Sequence, residues 1–238
     1  MRLTQYITES SIAKDVKEKY DNISLIWKHC QPVIKDISKM SKKQNGDIFL
    51  FSGRAGRSYG VDKFYKANVR FNRKPKDTRQ MFHDIANDEF ENRFGIRARE
   101  NSLFVAGDPY TASGYGKIYL IFPIGKYSIL YSEEVDDFTN WLSSRIWYRD
   151  TIIPDPKMYT DKDELERVYT KDIKDVVSTF KETTSVKKII DLGVEGMLLT
   201  ESYYAAFQRE YFNLILSTIR RYGTKMPSFE EFQDRWEG

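Results

Sequence analysis

The chain has 238 residues, 40% of them hydrophobic, enough for one large domain or one domain with a helical appendage. Its 38 basic and 35 acidic residues leave a net charge of +3, too near balance to argue for nucleic acid from charge alone. A single cysteine, Cys30, excludes an intrachain disulfide, and no apolar run approaches the ~18 residues of a membrane span.

Residues 1–45 predict a helical N-terminal segment. Ile12, Val16, Tyr20, Ile23, Trp27, Ile34 and Ile37 recur at helix spacing, and Pro32 breaks the run. Asn45-Gly46 marks a turn into a larger unit over 46–210. Its first strand is Asp47–Ser52, which ends in the glycine-punctuated turn Gly53-Arg54-Ala55-Gly56-Arg57. Ala67–Phe71 predicts a second strand. Thr78 caps a helix striped by Met81, Phe82, Ile85, Phe90 and Phe94, and Gly95 ends it. Strands follow over Ser102–Ala106, Lys117–Phe122 and Lys126–Tyr131, with Pro123-Ile124-Gly125 as a tight connection between the last two.

Residues 136–192 read as a helical insertion. Phe138, Trp141, Leu142 and Ile146 share one face, a long helix starts near Asp161, and Val186–Leu192 is a short helix ended by Gly193. Glu195–Leu199 and Ser202–Phe207 are strand-like again. A helical tail over 211–238 holds Tyr211–Ile219 and a last helix capped by Ser228 with Glu231. Short turns between strands, in place of βαβ crossovers, predict an α+β fold with a mostly antiparallel sheet.

Several chemistries have no residues to run on. Only His29 and His83 exist, far apart and without ligands at metal spacing, so no metal is expected. No nucleophile elbow, phosphate loop or dinucleotide-fold glycine motif occurs. Cys30 sits in a helical apolar pattern and reads as a small core residue. The segment 70–79 is locally basic, with Arg70, Arg73, Lys74, Lys76 and Arg79 against Asp77 alone. It reads either as a solvated loop or as a patch that meets phosphate. His83 lies beside it, four residues from Asn87 on one helical face, as a ligand contact or a surface histidine. Glu133-Glu134, with Asp136 and Asp137, reads as a helix-start acidic cluster.

Three segments carry the functional signal: Ile48-Phe-Leu-Phe-Ser-Gly-Arg54, then Ser102-Leu-Phe-Val-Ala-Gly-Asp108 with Tyr115-Gly116 and Pro123-Ile-Gly125, then Gly193-Val-Glu195-Gly-Met-Leu-Leu199. Over residues 47–207 their order resembles the mono-ADP-ribosyltransferases. That resemblance implies a split, mostly antiparallel sheet that clamps NAD as substrate. It implies that Arg54, with Arg57 as rival and Gly53 beside it, grips the NAD phosphates. Asp108 and Tyr115 would shape the nicotinamide pocket, and Glu195 would be the catalytic carboxylate. The sequence departs from the family in three places. Glycine precedes the arginine, Ala106-Gly107-Asp108 replaces a Ser-Thr-Ser triplet, and Gly193 replaces the first glutamate of a Glu-x-Glu pair.

The resemblance leaves the acceptor open between a host protein and a nucleic acid. It also leaves open a non-catalytic module that binds nucleic acid or a partner through the basic segment. Met1–Glu9 resembles the short leaders of proteins packaged into the heads of large tailed phages, and the middle block resembles phage proteins. This implies action in the host cytoplasm, or an internal protein of the phage head.

Overall fold

The structure, a computed structural model, describes residues 3–43, 48–54, 63–75, 80–138, 140, 141, 144 and 162–236. Helix α1 (Leu3–His29) leads into α2 (Gln31–Ser41), with Cys30 at the break and Pro32 in the first turn of α2, where its missing N–H is harmless. Then come β1 (Leu50–Arg54), β2 (Phe64–Asn68), α3 (Gln80–Phe94), β3 (Leu103–Ala106), α4 (Pro109–Ser113), β4 (Lys117–Pro123) and β5 (Ser128–Tyr131). The chain continues with α5 (Lys162–Thr179), β6 (Lys181–Thr183), α6 (Val186–Leu192), β7 (Glu195–Leu199), β8 (Ser202–Phe207), α7 (Gln208–Tyr222) and α8 (Phe229–Trp236). The class is α+β, as the strand rhythm predicts.

One sheet of eight strands runs in the order β2-β8-β4-β1-β3-β7-β5-β6, with every pairing antiparallel. Its pairings are unequal. β1 and β4 share five register pairs from Leu50↔Ile121 to Arg54↔Lys117, whereas β1 and β3 share one, Phe51↔Ala106. Two four-stranded halves therefore meet at a seam. Past that pair the strands are held by a side chain, since the Ser52 hydroxyl donates to the Phe104 carbonyl at 2.9 Å.

Two cores explain the apolar patterns. The larger one joins α1, α2, α6, α7 and α8 to the sheet through residues such as Trp27, Ile34, Phe49, Phe122, Ile215 and Phe232. The N-terminal and C-terminal helical segments thus share the core of the sheet. The smaller core stacks α3 and α5 (Phe82, Phe90, Ile173, Val177) on the β5–β7 half. In that half the paired Ile129 and Leu198 point into the larger core, while their neighbours Leu130 and Met197 point into the smaller one. A strand buried on both faces reads as a continuous apolar run, which is what Met197-Leu198-Leu199 is.

Some expected boundaries move. β1 continues to Arg54, because Gly53 and Arg54 still pair with Ile118 and Lys117. β2 lies over Phe64–Asn68 instead of Ala67–Phe71, since Asn72 at φ 57 turns the chain and leaves Phe71 outside the sheet. The edge strand β6 has too few apolar residues to signal itself. Gly95 and Gly193 end α3 and α6 at φ 72 and 66, as their positions predict. Ser228 and Glu231 exchange reciprocal bonds, Ser228 N–H to Glu231 Oε2 at 2.8 Å and Glu231 N–H to Ser228 Oγ at 3.3 Å. Among the described residues no helix is long and apolar enough to cross a membrane.

Candidate functional site

A cavity of about 440 Å³ opens along the seam. It gathers residues far apart in sequence: Gly53 and Arg54 from β1, Tyr115 after α4, Glu195 at the start of β7, and Arg70, Arg73 and Lys74 from the segment after β2. Its floor is apolar, with Phe51, Val105 and Ala106 among the lining residues.

Arg54 ends β1 directly opposite Lys117. Like charges in that register disfavour pairing, so the strand tolerates a conflict there. The guanidinium lies over two rings, 5.1 Å from the centre of Tyr65 and 5.5 Å from that of Tyr203. Its plane is thus fixed by aromatic stacking and its edge is left for a ligand. Gly53 serves packing more than ligand approach. A Cβ there would overlap the Ala112 carbonyl oxygen and crowd Tyr115 Cβ, so glycine lets α4 settle against β1. Arg57, Lys76 and Arg79 lie outside the described residues.

Glu195 pairs with Ala106, which in turn pairs with Phe51, so the carboxylate stands in the one row that crosses the seam. Its backbone N–H donates to the Asp136 carbonyl at 3.1 Å. Burial and the nearby Asp137 charge push its pKa up to about 7, against the pull of Arg99, the Tyr115 hydroxyl and Arg73. Tyr115 links the two acids, donating to Asp137 Oδ2 at 3.0 Å while lying within hydrogen-bonding reach of Glu195. A phenol has one hydrogen. Shared between Asp137 and Glu195, it satisfies an ionised Glu195 only in part, which agrees with the raised pKa. Burial and the two carboxylates push the Tyr115 phenol well above its usual range.

Arg73 and Arg99 form a cationic wall. Arg73 lies 4.7 Å over the Phe104 ring and donates from Nη1 to the Ser102 carbonyl at 3.1 Å. Burial, reinforced by Arg70 and Arg54, lowers its pKa, and Glu195 opposes that. Arg99 is 5% exposed, stacked 4.3 Å from Phe138, and burial brings its pKa down to about 10. Arg99, Asp137, Tyr65 and Tyr203 are site residues that the sequence does not mark. Arg99 lies in a polar run with no periodicity to mark it as buried.

His83 is buried, not on the helix surface, and lines the cavity. Asn87 Oδ1 accepts from the backbone N–H groups of Arg99 and Glu100, so its amide nitrogen must face His83 Nδ1, 3.1 Å away. Nδ1 therefore accepts and Nε2 carries the hydrogen. Burial and the Arg99 charge lower the His83 pKa, against the pull of Glu100 and Asp84. His83, Asp84 and Glu100 bring potential metal-ligand atoms within 4.8 Å, but Glu100 is engaged by Arg97 Nε at 3.0 Å and His83 by Asn87.

Asp108 does not line the cavity. It caps α4, accepting from the Thr111 N–H at 2.8 Å. Gly107 beside it cannot carry a side chain, because a Cβ would overlap the Ile189 carbonyl of α6. Gly193 sits in the left-handed region, which disfavours glutamate. One departure from the transferase pattern thus has a packing cause, at Gly107, and one a backbone cause, at Gly193. Glu133 lies elsewhere, paired with Lys188 at 2.9 Å and Lys181 at 3.5 Å. Burial in the larger core pushes the Cys30 thiol up to about 12, which suits a packing role.

Comparison of the chain with protein-family models, with curated proteins and with solved structures finds no match.

Proposed function

We propose that the chain is an NAD-dependent mono-ADP-ribosyltransferase of phage type that modifies a host macromolecule, acting in the host cytoplasm or carried in the phage head. The observation that carries this reading is the meeting of Arg54, Tyr115 and Glu195 in one cavity at a one-pair seam between two half-sheets. Two four-stranded halves that share one register pair support this reading, which expects a split sheet.

The residues present suit NAD. Arg54, its plane fixed by Tyr65 and Tyr203, matches a diphosphate, to which a guanidinium donates through two parallel bonds. The apolar floor suits an aromatic ring, and Tyr115 stands at its edge. When bound, NAD supplies a ribosyl group whose bond to a positively charged nicotinamide breaks with the electron pair leaving on the ring. Glu195, as the anion, accepts from the ribose 2′-hydroxyl and favours the positive charge that develops on the sugar. The Tyr115 hydroxyl and the Arg99 charge favour that anion. Because Glu195 titrates near 7, its active form grows as pH rises through that value.

The test is incubation with labelled NAD and host lysate, beside Glu195→Gln. Label transfer that the variant abolishes is the expected result. Absence of both transfer and NAD hydrolysis in the wild type would sink the reading.

A further inference from the structure

The segment after β2 is held in one shape. Val69 N–H donates to the Glu201 carbonyl at 3.0 Å, Asn72 N–H to Asn101 Oδ1 at 3.2 Å, and Arg73 N–H to the Glu100 carbonyl at 3.3 Å. At its bend Asn72 takes a left-handed φ of 57, a conformation that asparagine adopts more readily than most non-glycine residues. The bend throws Phe71 outward, 69% exposed. An ordered turn thus keeps an apolar ring in water, where it adds nothing to either core.

The neighbours of that ring are cations. Arg70 precedes it and Lys74 follows within the same turn, both exposed and neither in an ion pair with a described carboxylate. Arg73, between them, turns inward onto Phe104. The segment is also a wall of the cavity that holds Glu195. Among the described lining residues Arg54, Arg70, Arg73 and Lys74 stand around Glu195, while Arg99 also interacts with Asp137. NAD, with two phosphate charges and a cationic ring, offsets only part of that excess. The remainder calls for more phosphate.

An aromatic ring flanked by exposed cations fits a single strand, whose bases stack on the ring while its backbone phosphates meet the cations. A duplex hides its base faces. An acidic peptide would satisfy Arg70 and Lys74 but gives Phe71 no planar partner.

We infer that the acceptor is a single-stranded nucleic acid, with one base stacked on Phe71 and adjoining phosphates on Arg70 and Lys74, so that the next nucleotide enters the cavity at Glu195. The chemistry rests on the transferase reading; the binding surface does not. In the transfer, the ribose C1′–nicotinamide bond breaks with its electron pair going to nicotinamide. A nucleotide nitrogen or oxygen forms the new bond to C1′, and its proton leaves to water.

The experiment measures fluorescence anisotropy of labelled mixed-sequence 20-mers, single-stranded DNA, single-stranded RNA and duplex DNA. It uses Glu195→Gln so that nothing turns over. Single strands are expected to bind more tightly than the duplex, with affinity falling as salt rises by a slope of roughly −0.7 for each phosphate neutralised. Phe71→Ala is expected to weaken binding roughly 5- to 100-fold, as loss of one base stack predicts. Arg70→Ala with Lys74→Ala should flatten the salt slope by roughly 1.4. Equal binding of duplex and single strand, or affinity unmoved by Phe71→Ala, would overturn the inference. So would wild-type label found on protein alone when lysate and the oligonucleotides are offered together with labelled NAD. NAD hydrolysis without any acceptor reads the transferase chemistry separately. Its absence alongside normal strand binding would strike that reading and leave the surface standing.

Discussion

The two halves of the sheet bring opposite tools to the seam. The β2-β8-β4-β1 half holds a cation by aromatic stacking, with Arg54 between Tyr65 and Tyr203. The β3-β7-β5-β6 half, with the segment after β5, holds a buried acid, Glu195, joined to Asp137 through Tyr115. A guanidinium brings a planar, delocalised cation. The acid is poised near neutrality. Fixed charge on one side and adjustable charge on the other means that pH and stability should respond to the second half, and ligand affinity to the first.

The largest expected effect falls on the adjustable side. Glu195→Gln should lower transfer about 10²- to 10³-fold, measured with labelled NAD. It should also change stability in a pH-dependent way. The folded pKa of Glu195, about 7, lies above its ordinary 4.5, so the neutral form favours the folded state. That contribution is fully present below 4.5 and is lost as pH rises through 7. Wild type should therefore weaken across this window and the glutamine variant should not. The gap between them should open by up to about 3 kcal/mol between pH 4.5 and 7.5, read by thermal melting. A flat gap would remove the buried-acid account of the site.

On the fixed side, Arg54→Lys keeps the charge and loses the planar fork and its stack on two tyrosines. Loss of a bidentate contact predicts a KM for NAD raised roughly 10- to 100-fold with a smaller change in kcat. An equal fall in kcat would move Arg54 from binding to catalysis. Gly53→Ala tests the junction that sets both sides. The added methyl would overlap the Ala112 carbonyl and press on Tyr115. It should cost roughly 1–3 kcal/mol by denaturant melting and lower activity further by displacing Tyr115.

Much of the fold was legible because it rests on local patterns. β7 and β8 alternate or run apolar as their burial demands, Gly193 stops α6, and the Ser228–Glu231 pair caps α8. The site was legible at Arg54, Tyr115 and Glu195, which carry motif-like contexts. It was not legible where tertiary contact decides. Arg99 is a cavity residue only because Phe138 and Phe104 from distant segments enclose it. Asp108 looked like a ligand-side acid, yet a proline-started helix claims it as a cap. Phe71 looked like sheet, yet a left-handed asparagine removes it. Each miss is a residue whose role is set by a partner far away in sequence or by one backbone angle.

Asp137 gives the smallest and most discriminating test, because its place in an acidic cluster predicts a helix-start acid and it caps the Asn140 N–H. Its Oδ1 accepts from the Asn140 N–H at 2.9 Å while its Oδ2 accepts from Tyr115 at 3.0 Å. Asparagine caps a helix about as well as aspartate, so Asp137→Asn should leave the melting temperature nearly unchanged. The charge beside Glu195 would be gone, and with it part of what raises that carboxyl. The Tyr115 hydrogen would also be released toward Glu195, stabilising the anion. Both effects carry the same sign, so the Glu195 titration and the rising limb of the pH–rate profile should move toward acid by roughly half a unit to one unit. Tyr115→Phe removes the link and should raise the Glu195 pKa instead, because the carboxylate loses a donor while Asp137 keeps its charge. Opposite shifts from two neighbours in one hydrogen-bonded chain would separate an electrostatic device from a merely structural one. Shifts of the same sign would show that Tyr115 does not stand between the acids.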